Sequence, residues 1–172
     1  MTTTTHPEAT IEADPTVPAI HITREFRATP AQLMRAHTDP ELFALWIGPS
    51  DLDTRIDTWD ARSGGSFRFT NIRQGDAGVE EYSFRGCFHE ISDRIVQTFT
   101  WEGMPEGVSL ETLTFTDLGD GRTRLHAMSL CDSFEGRDGW LSSGMETGVN
   151  DGYAALDGLL ADGRVADSGD DA

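Results

Sequence analysis

Apolar and polar residues alternate along much of this chain, and a two-residue period predicts strands. "AIHITREFRA", starting at Ala19, reads as the first of them. Two short segments with helical spacing follow, each opened by a capping residue and a proline. These are Thr29 and Pro30 before "AQLMRAHT", then Asp39 and Pro40 in "DPELFALWIG", the second closed by Gly48 and Pro49. Six further strand-like stretches cover 53–60, 64–73, 79–90, 94–102, 108–118 and 121–131. Turn chemistry separates them: "SGG", "QGDAG", "SD", "GMPEG" and "GDG". The period then returns to that of a helix over 137–161, where Leu141, Met145, Val149, Tyr153, Leu156 and Leu160 recur three or four apart. The predicted class is α+β: a seven-stranded antiparallel sheet, two short helices after its first strand, and a long C-terminal helix covering its apolar face.

That last helix carries Gly144, Gly148 and Gly152, four apart and so along one face. Each glycine inside a helix costs about 0.8–1.0 kcal/mol against alanine. Such a row implies either a close backbone approach or room for a ligand, with Gly148 expected at the cavity or its rim. Residues 1–19 and 162–172 lack periodicity and read as disordered tails. One domain is expected over 20–161.

Composition narrows the function classes. Of 172 residues, 37% are apolar and 25% charged, with a formal net charge of −17. That charge argues against nucleic acid and against anionic membrane surfaces, both of which need basic residues. All 13 basic residues are Arg, and without a Lys there is no Schiff-base chemistry. No apolar run reaches the ~20 residues of a membrane span. The first 19 residues have no signal-peptide pattern, so a cytoplasmic location is expected. Cys87, Cys131 and the five histidines show no metal-ligand spacing. No metal and no cofactor is expected.

Several stretches carry a family resemblance. "ITREFRATPAQLMRAHTDPELFALWIGP" contains a Trp-x-x-Pro step from Trp46 to Pro49, and "WDARSGGSFRF" holds Asp60, Arg62, Gly64, Gly65, Phe67 and Arg68. "FRGCFHEI" and "RIVQTFTWEGMP" look like central strands, and "SGMETGVNDGYAALDGLLA" like a terminal helix. Together, over about 20–161, they resemble the branch of the helix-grip (START-like, SRPBCC) superfamily named after the activator of heat-shock-chaperone ATPase. The superfamily also holds polyketide cyclases and lipid carriers. The resemblance implies a curved sheet wrapped around a helix and an internal cavity, but no catalytic triad. Many relatives end the last strand with His, where this chain has Ser129.

Strand parity assigns the cavity wall. Phe67, Phe69 and Asn71 share a face, as do Tyr82, Phe84 and Phe88, then Gln97, Phe99 and Trp101, and then Glu111, Leu113 and Phe115. The expected ligand-binding set is Trp46, Phe67, Phe69, Tyr82, Phe84, Phe99, Trp101, Glu111, Leu113, Met145, Gly148 and Val149. Glu111 is the catalytic candidate: pointing inward, it would be desolvated and its pKa raised. The reading that follows is a binding domain for a small apolar or aromatic ligand. The alternatives are a cyclase, dehydratase or isomerase using Glu111, and a chaperone-partner domain, the latter disfavoured because no second domain is legible. A homodimer is compatible with each.

Overall fold

The computed structural model describes residues 7–167. In chain order the elements are β1 (Thr10–Ala13), β2 (Ala19–Phe26), α1 (Pro30–Thr38), α2 (Pro40–Trp46), β3 (Asp53–Trp59), β4 (Ser66–Gly75), β5 (Gly78–Ile91), β6 (Arg94–Trp101), β7 (Ser109–Gly119), β8 (Arg122–Leu130), α3 (Phe134–Ser142) and α4 (Met145–Ala161). The strands form one sheet in the order β1-β2-β8-β7-β6-β5-β4-β3. Every pairing is antiparallel. After β2 the chain crosses through α1 and α2 to the far edge, then meanders back until β8 lies beside β2.

The local signals explain the short helices. Thr29 accepts from the Gln32 backbone N–H while the Gln32 side chain accepts from the Thr29 N–H, a reciprocal cap. Asp39 accepts from the N–H groups of Glu41 and Leu42, and Pro30 and Pro40 open the two helices. The core gathers on the concave face of the sheet. Phe67, Phe69, Phe88, Ile95, Leu113 and Leu125 meet Leu33 and Ala36 of α1, Leu42, Phe43 and Trp46 of α2, and Tyr153, Leu156 and Leu159 of α4. Arg24 of β2, also on this face, donates from Nη1 to Asp157 Oδ1 at 2.7 Å and so ties the sheet to α4 from within.

Three expectations are corrected. Among the described residues the sheet has eight strands, because Thr10–Ala13, inside the segment read as a tail, pairs with β2 from Thr10↔Thr23 to Ala13↔Ile20. The ordered chain also runs past 161: Val165 is buried in the core and its carbonyl accepts from Gln32 Nε2 at 2.8 Å. Residues 1–6 and 168–172 of the two expected tails lie outside the described residues. Finally, the helix expected over 137–161 is two. Gly144 stands between α3 and α4 with φ +86°, a left-handed conformation that glycine adopts without a Cβ clash. It therefore lies outside the helix interior, and α4 shares the cover of the sheet with α1 and α2.

Candidate functional site

Between the sheet and the two short helices lies a cavity of about 30 Å³, lined by His37, Phe43, Trp59, Phe67, Phe69, Ile95, Gln97, Phe99 and Leu113. That volume holds a water-sized group or two. The wall is built from rings in contact: Phe43 lies 4.8 Å from Trp59 and 5.2 Å from Phe69, and Phe99 lies 6.3 Å from Phe69 and 6.4 Å from Phe67, centroid to centroid. Two indoles hold the helical side in place. Trp46 Nε1 donates to Ala36 O at 2.9 Å, and Trp59 Nε1 donates to Thr38 O at 2.7 Å. Both carbonyls belong to the last turn of α1, where a helix has no acceptor-side partners of its own.

Among the described residues His37 is the one histidine in this wall, and it is buried. Its Nδ1 lies 2.7 Å from Leu33 O. A carbonyl only accepts, so Nδ1 carries the proton and Nε2 is a bare acceptor. Burial pushes its pKa down to about 4, with the Leu33 bond opposing. At neutral pH the ring is therefore uncharged. It packs edge-on against Trp46 at 4.8 Å and Phe115 at 5.4 Å. Strand parity does not reach His37, which stands on a helix. Leu33, Ala36 and His37 form the buried stripe of α1, and that three- and four-residue spacing was the signal available.

Gln97 and Glu111 form the second polar group. Gln97, Glu111 and Ser129 stand opposite one another across β6, β7 and β8. Gln97 Nε2 donates to Glu111 Oε2 at 2.8 Å. Glu111 keeps some accessible surface, yet its carboxyl is densely surrounded. Burial raises its pKa, while hydrogen bonds from Gln97 and Ser129 oppose the shift. Its charge reaches the buried Tyr153 hydroxyl, whose pKa is raised first by burial and then by Glu111. Glu111 thus backs Gln97 and does not itself line the cavity.

Of the set expected from parity, the structure brings Phe67, Phe69, Phe99 and Leu113 together around the cavity. Phe84 lies one layer behind, stacked on Phe69 at 5.2 Å and Phe99 at 5.3 Å. Trp46 is buried under α1. Trp101 pairs with Phe84 in the ladder, beside Gly103. Tyr82 is outside the cavity lining, and its hydroxyl donates to Glu80 at 3.2 Å on the exposed side. Asn71 is buried and accepts from Thr54 Oγ1 at 2.9 Å, outside the cavity wall. Met145 and Val149 are half-buried on α4, and Val149 packs against the core. Gly148 faces the Pro49 ring; a Cβ there would meet Pro49 Cδ at 3.4 Å. Gly152 is the close approach, since its Cβ would fall 2.8 Å from Trp46 O. Among the described residues, no group of three or more His, Cys, Asp or Glu side chains gathers to hold a metal ion.

One curved antiparallel sheet, gripping a C-terminal helix and roofed by two short helices inserted after its second strand, defines a helix-grip domain of the START-like kind. The family model for Activator of Hsp90 ATPase homolog 1-like proteins matches residues 27–161, and the chain belongs to that family. Solved structures agree in fold. A crystal structure of a Rhodobacter sphaeroides protein is 25% identical, covers 89% of this chain and 99% of its own, and has a TM-score of 0.75. Protein Ms6760 from Mycobacterium smegmatis is 24% identical over 90% of this chain and 97% of its own, with a TM-score of 0.75. A solution structure from Arthrobacter aurescens is 22% identical over 89% and 91%, with a TM-score of 0.77. No curated protein matches the chain. No helix among the described residues is long and apolar enough to cross a membrane.

Proposed function

We propose that this domain binds a small aromatic ligand in the cavity between the sheet and α1–α2. The observation that carries the reading is a wall of five aromatic rings and two aliphatic side chains interrupted by two polar groups, His37 and Gln97. Apolar sites with a few placed polar atoms are the usual form of small-molecule pockets. The resting volume, about 30 Å³, is far below that of a bound ring. Binding therefore opens the site, and Phe43, carried on the seven-residue α2, is the wall with the least chain to move. Native mass spectrometry of protein taken directly from cells, followed by tryptophan-fluorescence titration with small aromatic compounds, tests this. Retained or saturable ligand is expected, and Leu113→Phe, which fills the cavity, should abolish binding without unfolding the domain. Absence of saturable binding across the panel overturns the reading.

A second reading rests on Glu111. A carboxyl with a raised pKa, linked to the cavity wall through Gln97, suits an acid or base in a cyclase, dehydratase or isomerase. Any turnover discovered should then vanish in Glu111→Gln. The family description supports a third, a chaperone-partner role. Purified Hsp90 whose ATPase rate does not respond to the domain would reject it.

A further inference from the structure

We propose that His37 is the specificity-determining residue of this cavity, and that its Nε2 selects aromatic ligands carrying an O–H or N–H donor over those without one. The inference rests on the cavity-binding reading above and names the ligand chemistry of the same site.

The hydrogen-bonding inventory of the wall carries the argument. The His37 Nδ1–H is engaged by Leu33 O and the Trp59 Nε1–H by Thr38 O. The Gln97 amide nitrogen gives one of its two N–H groups to Glu111. What the wall has left to offer is two acceptors, His37 Nε2 and Gln97 Oε1, and one N–H of Gln97; the only group of the histidine still open is an acceptor. Nε2 has no hydrogen-bond partner among the described residues, although His37 is only 7% exposed. No polar side-chain atom among them is both sealed from solvent and unpartnered. Nε2 therefore keeps some open surface, and the cavity is the open space that His37 borders. A ligand that fills this space without a donor leaves Nε2 unsatisfied and displaces any water that would have satisfied it. A donor-bearing ring of the same size completes the bond. Losing one such bond in a buried site corresponds to about a tenfold loss of affinity.

Phenol and fluorobenzene are the probes, nearly equal in size and differing in the donor. In titrations of the whole chain, phenol should bind about tenfold more tightly or better. His37→Leu should bring the two affinities together while fluorobenzene still binds. On the wild type, the ¹⁵N resonance of His37 Nε2 should shift on adding phenol and stay in place with fluorobenzene, a readout that stands even if the variant fails to fold. Equal binding of both probes by the wild type, or phenol preference with an unmoved Nε2 resonance, overturns the assignment to His37 and leaves the cavity reading intact. Failure of both probes to bind overturns this inference, and the cavity reading falls with it when the wider panel of aromatic compounds fails as well.

Discussion

The His37 ring and the Glu111 carboxyl are densely surrounded ionisable groups whose shifts act on stability with opposite sign. His37 titrates near 4 in the folded protein against an ordinary value of 6.5. As pH falls below 6.5 the unfolded chain takes up this proton and the folded chain does not, so stability is lost between about pH 6.5 and pH 4. At about 1.4 kcal/mol per pKa unit the whole loss is about 3 kcal/mol. Thermal melts across that window should show the decline, and His37→Leu should flatten it. Below about pH 4.5 the paired carboxylates add their own loss; Glu90, for example, is held at about 2 by hydrogen bonds from Arg94 and Ser92. Glu111 runs the other way. Its folded pKa is raised, so the folded state holds the proton longer and stability falls as pH rises above the usual carboxylate range. Glu111→Gln keeps an acceptor for Gln97 and removes the buried charge. It should melt higher than wild type at pH 7, with the gap closing toward pH 4. An unchanged gap would mean that the carboxyl is solvated.

The three glycines spaced four apart belong to three different structural situations, and alanine substitutions should separate them. Gly144 ends one helix and starts the next at φ +86°, so Gly144→Ala should cost about 1–2 kcal/mol. Gly152→Ala would press a methyl against Trp46 O at 2.8 Å and should cost about 1–3 kcal/mol. Gly148→Ala meets only the Pro49 ring at ordinary contact distance and should stabilise by about 0.5–1 kcal/mol. Denaturant titrations of the three variants give the ranking. Spacing alone treated these residues as equivalent, because a sequence does not record a φ angle. The same distinction runs through the fold. Thr29–Pro30 and Asp39–Pro40 announced their helices, since capping is local chemistry, and hairpin turns such as "GDG" announced the strands beside them. β1 stayed hidden because four mostly exposed residues give almost no alternation to read. Parity found the face on which Phe67, Phe69, Phe99 and Leu113 lie. Which element roofs that face is a tertiary fact: pattern alone offers the long last helix as cover, and His37 and Phe43 of α1 and α2 stand there instead.

Across the whole molecule, 30 acidic residues face 13 arginines. Single arginines on the β3–β5 side therefore bridge two carboxylates: Arg55 takes Asp57 and Glu81, Arg68 takes Asp57 and Glu102, and Arg73 takes Asp51 and Glu80. Exposed pairs of this kind contribute little each, whereas the surplus negative charge repels itself throughout. Raising NaCl from about 0.1 M to about 1 M shortens the screening length from about 10 Å to about 3 Å. The melting temperature should rise over that range; a fall would mean that the bridges outweigh the repulsion. Among the described residues the sheet is open, with β1 and β3 as its outer strands, and such edges carry unpaired backbone groups. On β3 the exposed Asp53, Arg55 and Asp57 discourage a second chain from adding on. The opposite border is protected by four residues, Thr10–Ala13, laid along β2. A chain shortened to begin at residue 14 would bare the backbone of "AIHITREF", a longer strand with Ile20 and Ile22 along it. Light scattering should then find larger species than the chain that keeps residues 1–13 forms. The first strand would thus serve as a stopper against recruitment of like chains, an insulating function separate from anything the cavity does.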